Sequence, residues 1–204
     1  MSNVIDFYFD FSSPYGYLAS QRIESIAEEN NCTVGWHPIL LGAVFKVTGQ
    51  APIVETPMKG EYAIMDFTRA AREHKLEYKH PEVFPIGAVA ACRSALWLRD
   101  NKDAALQQKT SAFIHAIFRA YYVEGKDITK PETIGDIAVS LNIDTETLQQ
   151  ALADQSVKDA LRKEVEGAIG AGIFGSPMMV FNGEKFWGND RLEQLERWLK
   201  SGGW

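Results

Sequence analysis

What most restricts this chain is the order of its periodic segments: strand, helix and strand at one end, and strand, turn, strand and helix at the other. Ile5, Phe7, Phe9 and Phe11 alternate with Val4, Asp6, Tyr8 and Asp10. That period of two, rich in aromatic rings, predicts a strand buried on at least one face. The strand stops at Ser12-Ser13-Pro14. A serine can cap the free amides of a helix, and a proline at the first helical position has no amide to leave unpaired. A helical stripe of Leu18, Ile23, Ile26 and Ala27 follows and ends at Asn30-Asn31, and Thr33 to Ile39 returns as a second strand. Two strands joined by a helix are expected to be parallel with a right-handed crossover. At the other end, Met178 to Phe181 is a short apolar strand, Asn182-Gly183 a hairpin turn, and Lys185-Phe186-Trp187 the returning strand. Gly188-Asn189-Asp190 then opens a last helix with Leu192, Leu195, Trp198 and Leu199 on one side.

Between these ends the periods are helical. The stretch Lys46 to Pro57, with Gly49, Pro52 and Pro57, is expected to be a loop, as is Lys75 to Gly87. Helices are expected over Met58 to His74, Ala88 to Asn101 and, as one element, Ala104 to Val123. Three more are expected over Thr133 to Leu141, Thr145 to Ala153 and Ser156 to Ala171, with Thr133 and Thr145 as caps. A β-α-β half and a β-β-α half are the two parts of the thioredoxin arrangement. The predicted fold class is therefore α/β: a thioredoxin-like unit from residues 1–41 and 173–204, carrying a large helical insertion, residues 42–172. No linker-like stretch separates the parts, so the insertion is expected to pack against the rest.

Composition narrows the function by exclusion. A chain of 204 residues, 46% hydrophobic and 24% charged, is globular. Its 27 acidic and 21 basic residues give a net charge of −6. The most basic stretch, Arg69 to Lys79, also holds Glu73 and Glu77, so neither nucleic acid nor an anionic membrane surface is an expected partner. No run approaches the roughly 18–20 apolar residues that span a bilayer. The first residues lack a leader pattern, and a cytoplasmic setting is expected. Only Cys32 and Cys92 are present, without CxxC spacing. That count suits a reducing compartment and argues against a disulfide scaffold, a cysteine-rich zinc site and dithiol redox chemistry. The histidines, His37, His74, His80 and His115, share no metal-ligand spacing, so no metal is expected.

Four short stretches could carry chemistry. Ser12-Ser13-Pro14-Tyr15 puts hydroxyls at a helix N-terminus, where free amides and the helix dipole favour an anion; a plain capping serine looks the same in sequence. Phe174-Gly175-Ser176-Pro177-Met178 places a proline before a strand, suited either to a cis bond that presents backbone to an extended ligand or to an edge-strand loop. In a thioredoxin arrangement these two stretches adjoin, so Ser13 and Pro177 are expected to face one pocket. Gly188-Asn189-Asp190-Arg191 could hold the ammonium and carboxylate of an amino-acid head group, or simply cap the last helix. Thr48-Gly49-Gln50-Ala51-Pro52, with Lys59, could offer an amide and a cation to a second carboxylate, or be solvated surface.

In this order the four stretches resemble the kappa-class glutathione transferases and, more closely, the 2-hydroxychromene-2-carboxylate isomerases, within the DsbA-like branch of the thioredoxin fold. The residues that carry the resemblance are Asp6 to Ala19 (DFYFDFSSPYGYLA), Thr48 to Pro52 with Lys59-Gly60, Phe174 to Pro177, and Phe186 to Glu193 (FWGNDRLE). The resemblance implies glutathione as cofactor. It implies Ser13 as the donor to its sulfur, and the Ser176 backbone before a cis Pro177 at its cysteinyl part. Asn189 and Asp190 would then meet its γ-glutamyl end, and Gln50 and Lys59 its glycyl end. Gln50 stands where the kappa pattern has asparagine, and Gly16 where serine is common. A small aromatic hydroxy-carboxylate is the implied substrate, isomerised by reversible thiolate addition during aromatic catabolism, and a homodimer the implied assembly. The alternatives are a kappa-type transferase that leaves glutathione on its product, and a DsbA-like binding module with no catalysis.

Overall fold

The computed structural model describes residues 3–204. Strand β1 (Val4–Phe9) pairs in parallel with β2 (Thr33–Pro38), from Val4 opposite Thr33 to Phe9 opposite Pro38, and helix α1 (Pro14–Glu29) connects them. The alternation in β1 reads directly as burial: Ile5, Phe7 and Phe9 have no exposed surface, while Val4, Asp6 and Tyr8 are half-buried on the other face. Eight helices intervene before the chain returns to the sheet. They are α2 (Leu41–Thr48), α3 (Lys59–Glu73), α4 (Val89–Arg99), α5 (Ala104–Gln107), α6 (Thr110–Tyr122), α7 (Pro131–Ser140), α8 (Thr145–Ala153) and α9 (Gln155–Gly170). Strand β3 (Met178–Phe181) then lies antiparallel to β1, and β4 (Glu184–Trp187) antiparallel to β3, giving the order β2-β1-β3-β4. A short 3-10 turn, Asn189–Arg191, leads into α10 (Leu192–Ser201).

The middle of the chain shares its core with the sheet. Phe118 of α6 packs on Phe9 and Phe11 with ring centroids 5.7 and 4.9 Å apart, and Trp36 of β2 meets Phe7 at 5.2 Å. On the other face a smaller apolar cluster joins Ile39, Val44, Ala168, Ile173 and Met178. An ionic group also fastens α4 and α9 to β2. Arg99 donates to both oxygens of Glu164 (2.8 and 3.0 Å) and to the Trp36 carbonyl, and His37 bonds Glu164 at 2.6 Å. Burial alone would raise the Glu164 carboxyl, but the hydrogen bonds from His37 and Arg99 and the arginine's charge outweigh it and hold the group at about 2.

The expected elements are present, with local differences. The stretch Lys46 to Pro57 begins inside α2, which ends at Gly49 in the left-handed region (φ 70°), and it contains a 3-10 turn at Ile53–Glu55. The helix expected from Ala104 to Val123 is two, broken at Gln108-Lys109, where the Thr110 hydroxyl donates to the Gln107 carbonyl at 2.7 Å. Neither threonine caps. Pro131 starts α7 two residues early behind Lys130, and Asp144 takes the amide of Thr147 (2.8 Å) at α8, an acidic oxygen one residue upstream of Thr145. The last helix likewise starts later than expected, because Asn189–Arg191 forms the 3-10 turn.

Candidate functional site

The ends of β1, α1, β3 and β4 meet the start of α2, the start of α3 and the loop before α4 around one cavity of about 1440 Å³. Ser13, Ser176, Asn189 and Asp190 all lie on its wall, as do Gln50 and Lys59. Pro177 does not. Its bond to Ser176 is cis, as expected, but the ring is buried behind Ser176, so Ser176 rather than Pro177 shares the pocket with Ser13. A second cis bond, Phe84–Pro85, lies in the loop before α4; no signal in the sequence marked it.

Ser13 both caps and faces the cavity. Its Oγ accepts the Gly16 amide at 3.0 Å, closing the first turn of α1, and donates its one proton to the Ser176 carbonyl at 2.9 Å. A bound anion can take that proton only if the hydroxyl leaves Ser176. Glycine at position 16 fits this close approach, since a β-carbon there would lie 3.0 Å from Ser176 Oγ and 3.1 Å from Ser13 Cβ. The backbone amide of Ser176 makes no hydrogen bond among the described residues.

The third stretch is not a cap. No side chain caps the 3-10 turn or α10, and Gly188, at φ 110°, turns the chain out of β4. Asn189 is 5% exposed, yet its Oδ1 is buried with no hydrogen-bond partner among the described residues. A buried unpaired amide oxygen costs about 1–3 kcal/mol, and this one belongs to a residue of the cavity wall. Asp190 is exposed beside it, with Arg191 at 3.8 Å. Gln50 and Lys59 are exposed, and neither side chain is bonded to another described residue.

Two groups on the wall escaped sequence reasoning. Asp10, taken only as an alternate position of a strand, is 5% exposed at the strand's end. Burial raises its carboxyl to about 6, against the amides of Ser12 and Leu41, which favour the charged form. Only its place two residues before Ser12-Ser13-Pro14 could have marked it. Tyr15 donates to Asp66 at 2.6 Å, and Arg69 holds the other Asp66 oxygen at 2.6 Å, tying α1 to α3. Both thiols stay out of the cavity. Burial pushes Cys92 well up, and the Asp10 charge adds to it; burial also raises Cys32. Among the described residues no group of three or more His, Cys, Asp or Glu side chains could hold a metal, and no helix is long and apolar enough to cross a membrane.

Comparison with known proteins identifies the family and the fold. A family model described as a DSBA-like thioredoxin domain matches residues 4–200. The 2-hydroxychromene-2-carboxylate isomerase of Sphingobium xenophagum is 29% identical over 98% of this chain and 99% of its own. Human glutathione S-transferase kappa 1 is 22% identical over 98% of this chain and 94% of its own. Among solved structures, a 2-hydroxychromene-2-carboxylate isomerase superposes with a TM-score of 0.87 at 24% identity, covering 97% of this chain and 95% of that one, which establishes the shared fold.

Proposed function

The chain belongs to the DSBA-like thioredoxin domain family, and from that premise we propose that it is a glutathione-dependent isomerase of the 2-hydroxychromene-2-carboxylate type. One observation carries the proposal: the Ser13 hydroxyl at the N-terminus of α1 and the unpartnered buried amide of Asn189 share one cavity that no protein thiol enters. The donor set fits glutathione. Ser13, at the N-terminus of α1, suits its sulfur, the free Ser176 amide its cysteinyl carbonyl, and Asn189 with Asp190 its γ-glutamyl head group. Gln50 and Lys59 suit its glycyl carboxylate. The full-length similarity to a named isomerase favours isomerisation over conjugation.

When bound, glutathione supplies a sulfur nucleophile able to add to an activated ring carbon and leave again. The chain's own part is to stabilise that sulfur as thiolate. Ser13 gives up the Ser176 carbonyl and donates to the sulfur, in the field of the α1 dipole. The cavity exceeds the roughly 300–1,000 Å³ usual for one small ligand, so a second ligand fits beside the first. Residues 42–172, proposed as the insertion between thioredoxin-like parts 1–41 and 173–204, supply the apolar side of it, with Phe45, Ile53, Phe84 and Ile86. An aromatic hydroxy-carboxylate matches that mixture of apolar wall and flanking Lys46. A reducing cytoplasm suits the unpaired cysteines, and a homodimer belongs to the same proposal.

Purified protein is incubated with 2-hydroxychromene-2-carboxylate with and without glutathione while product and free thiol are followed. Turnover that needs the thiol and leaves its concentration constant is the expected result. A rate indifferent to glutathione refutes the dependence, and thiol lost in step with product makes the protein a transferase.

A further inference from the structure

Asp10 bonds three separate segments around the thiol end of the cavity: the start of α1, the Ser176 segment and the start of α2. Its backbone carbonyl accepts the Ser13 amide at 2.9 Å, and its backbone amide donates to Ser176 Oγ at 3.0 Å. Its carboxylate accepts the Ser12 amide through Oδ1 (2.8 Å) and the Leu41 amide through Oδ2 (2.7 Å). Leu41 is the first residue of α2, whose own N-cap, Leu40, offers no side-chain oxygen. Asp10 therefore caps α2 from another strand, putting an anion where the helix dipole favours one. That helix runs directly into the Gly49-Gln50 turn.

We propose, on the footing of the function above, that Asp10 is a positioning residue for glutathione: its backbone holds the Ser13 and Ser176 segments, and its carboxylate, while ionised, ties them through Ser12 to the α2–Gln50 segment. Protonation makes one oxygen a donor. Each oxygen already accepts an N–H, so a proton on either one leaves a hydroxyl oxygen, a poorer acceptor, and weakens the bond to Ser12 or to Leu41. The surroundings offer no compensating cation. The groups facing Asp10 are the Cys92 thiol from α4 and the Tyr121 and Tyr122 hydroxyls from α6, and Asp10 forms no ion pair among the described residues. Its carboxyl, raised by burial to about 6, changes state just below neutrality.

The test measures the affinity of S-methylglutathione by calorimetry from pH 5 to pH 7.5. This probe has no thiol to titrate, and His74→Gln removes the histidine on the cavity wall. With a midpoint near 6, the probe should bind about tenfold more weakly at pH 5 than at pH 7. In Asp10→Asn, which keeps the shape but presents an NH2 to one of the two amides, affinity at pH 7 should fall by about the same factor and its pH dependence should vanish. Wild-type affinity in Asp10→Asn, or an unchanged pH profile, overturns the proposal. Should that variant fail to fold, the amide resonances of Ser12 and Leu41 in the wild-type protein decide. They should titrate together near pH 6, and their invariance overturns the proposal. If the wild-type protein ignores the probe at every pH, the glutathione assignment fails; a joint titration of the two amides then still shows Asp10 governing the segments.

Discussion

Replacing Ser13 by alanine separates the structural from the chemical work of one hydroxyl. Two hydrogen bonds are lost: the cap to Gly16 at 3.0 Å and the donation to Ser176 at 2.9 Å. The first is worth about 1 kcal/mol and the second about the same, so the variant should lose about 2 kcal/mol and melt roughly 4–8 °C lower. The effect on bound glutathione is a difference of two terms. A hydroxyl donating to a thiolate contributes about 1.5–3 kcal/mol, but here it first surrenders about 1 kcal/mol to the Ser176 carbonyl. The net, about 0.5–2 kcal/mol, corresponds to about one pKa unit on the bound thiol. A thiol of higher pKa is also more nucleophilic, with a Brønsted slope of about 0.4–0.5, so an almost tenfold loss of thiolate near neutrality becomes about a threefold loss in kcat. Ultraviolet absorbance of the thiolate, titrated against pH in both proteins with saturating glutathione, measures the shift directly. Coincident titrations would show that the hydroxyl stays on Ser176 when glutathione binds, and Ser13 would then be a cap alone.

Three further outcomes follow from particular residues. Asn189→Ala removes a buried oxygen that bonds nothing in the fold, so the melting temperature should hold or rise while glutathione affinity falls about tenfold by calorimetry; a stability loss without an affinity loss would make Asn189 structural. Tyr122 is fully buried and its hydroxyl has no partner among the described residues, so Tyr122→Phe should gain about 1 kcal/mol in urea unfolding, and a clear loss would reveal a bound water. Glu164 has a folded carboxyl near 2, below its ordinary value, so its contribution is present above the unfolded pKa and disappears as pH falls from about 4.5 towards 2. Glu164→Gln should therefore cost about 2 kcal/mol at neutral pH and flatten acid unfolding over that window; equal acid limbs in the two proteins would refute the ionic fastening of α4 and α9.

The parts of the fold legible in sequence are those set by near neighbours. The aromatic alternation of residues 5–11, Pro14 at a helix start and the Asn182-Gly183 hairpin each act over a few residues, and each appears where expected. Capping was less legible, because Asp144 and Thr145 are both good caps and the choice depends on which oxygen reaches the Thr147 amide. Pro177 was expected on the cavity wall because the sequence marks the proline, whereas the fold turns its ring inward and leaves Ser176 outside. Asp10 gave no sign of its role, since a polar residue at an alternate strand position is ordinarily solvent-facing.

By itself the sequence determined the thioredoxin-like order of strands and helices, the absence of a CxxC pair, and four stretches that could carry chemistry or could serve only as caps, loop and surface. Whether those stretches form one site depended on tertiary structure. Asp10 and Ser176 lie 166 positions apart and touch because β1 is central, with β2 on one side and β3 on the other. Local pattern also says nothing about which polar groups stay unpaired. Ser13's proton is committed to Ser176 and Asn189's oxygen to no described residue, and both outcomes belong to the packed chain. Hydrogen bonds are satisfied or left open by what arrives in space, and that is decided after the helices and strands have formed.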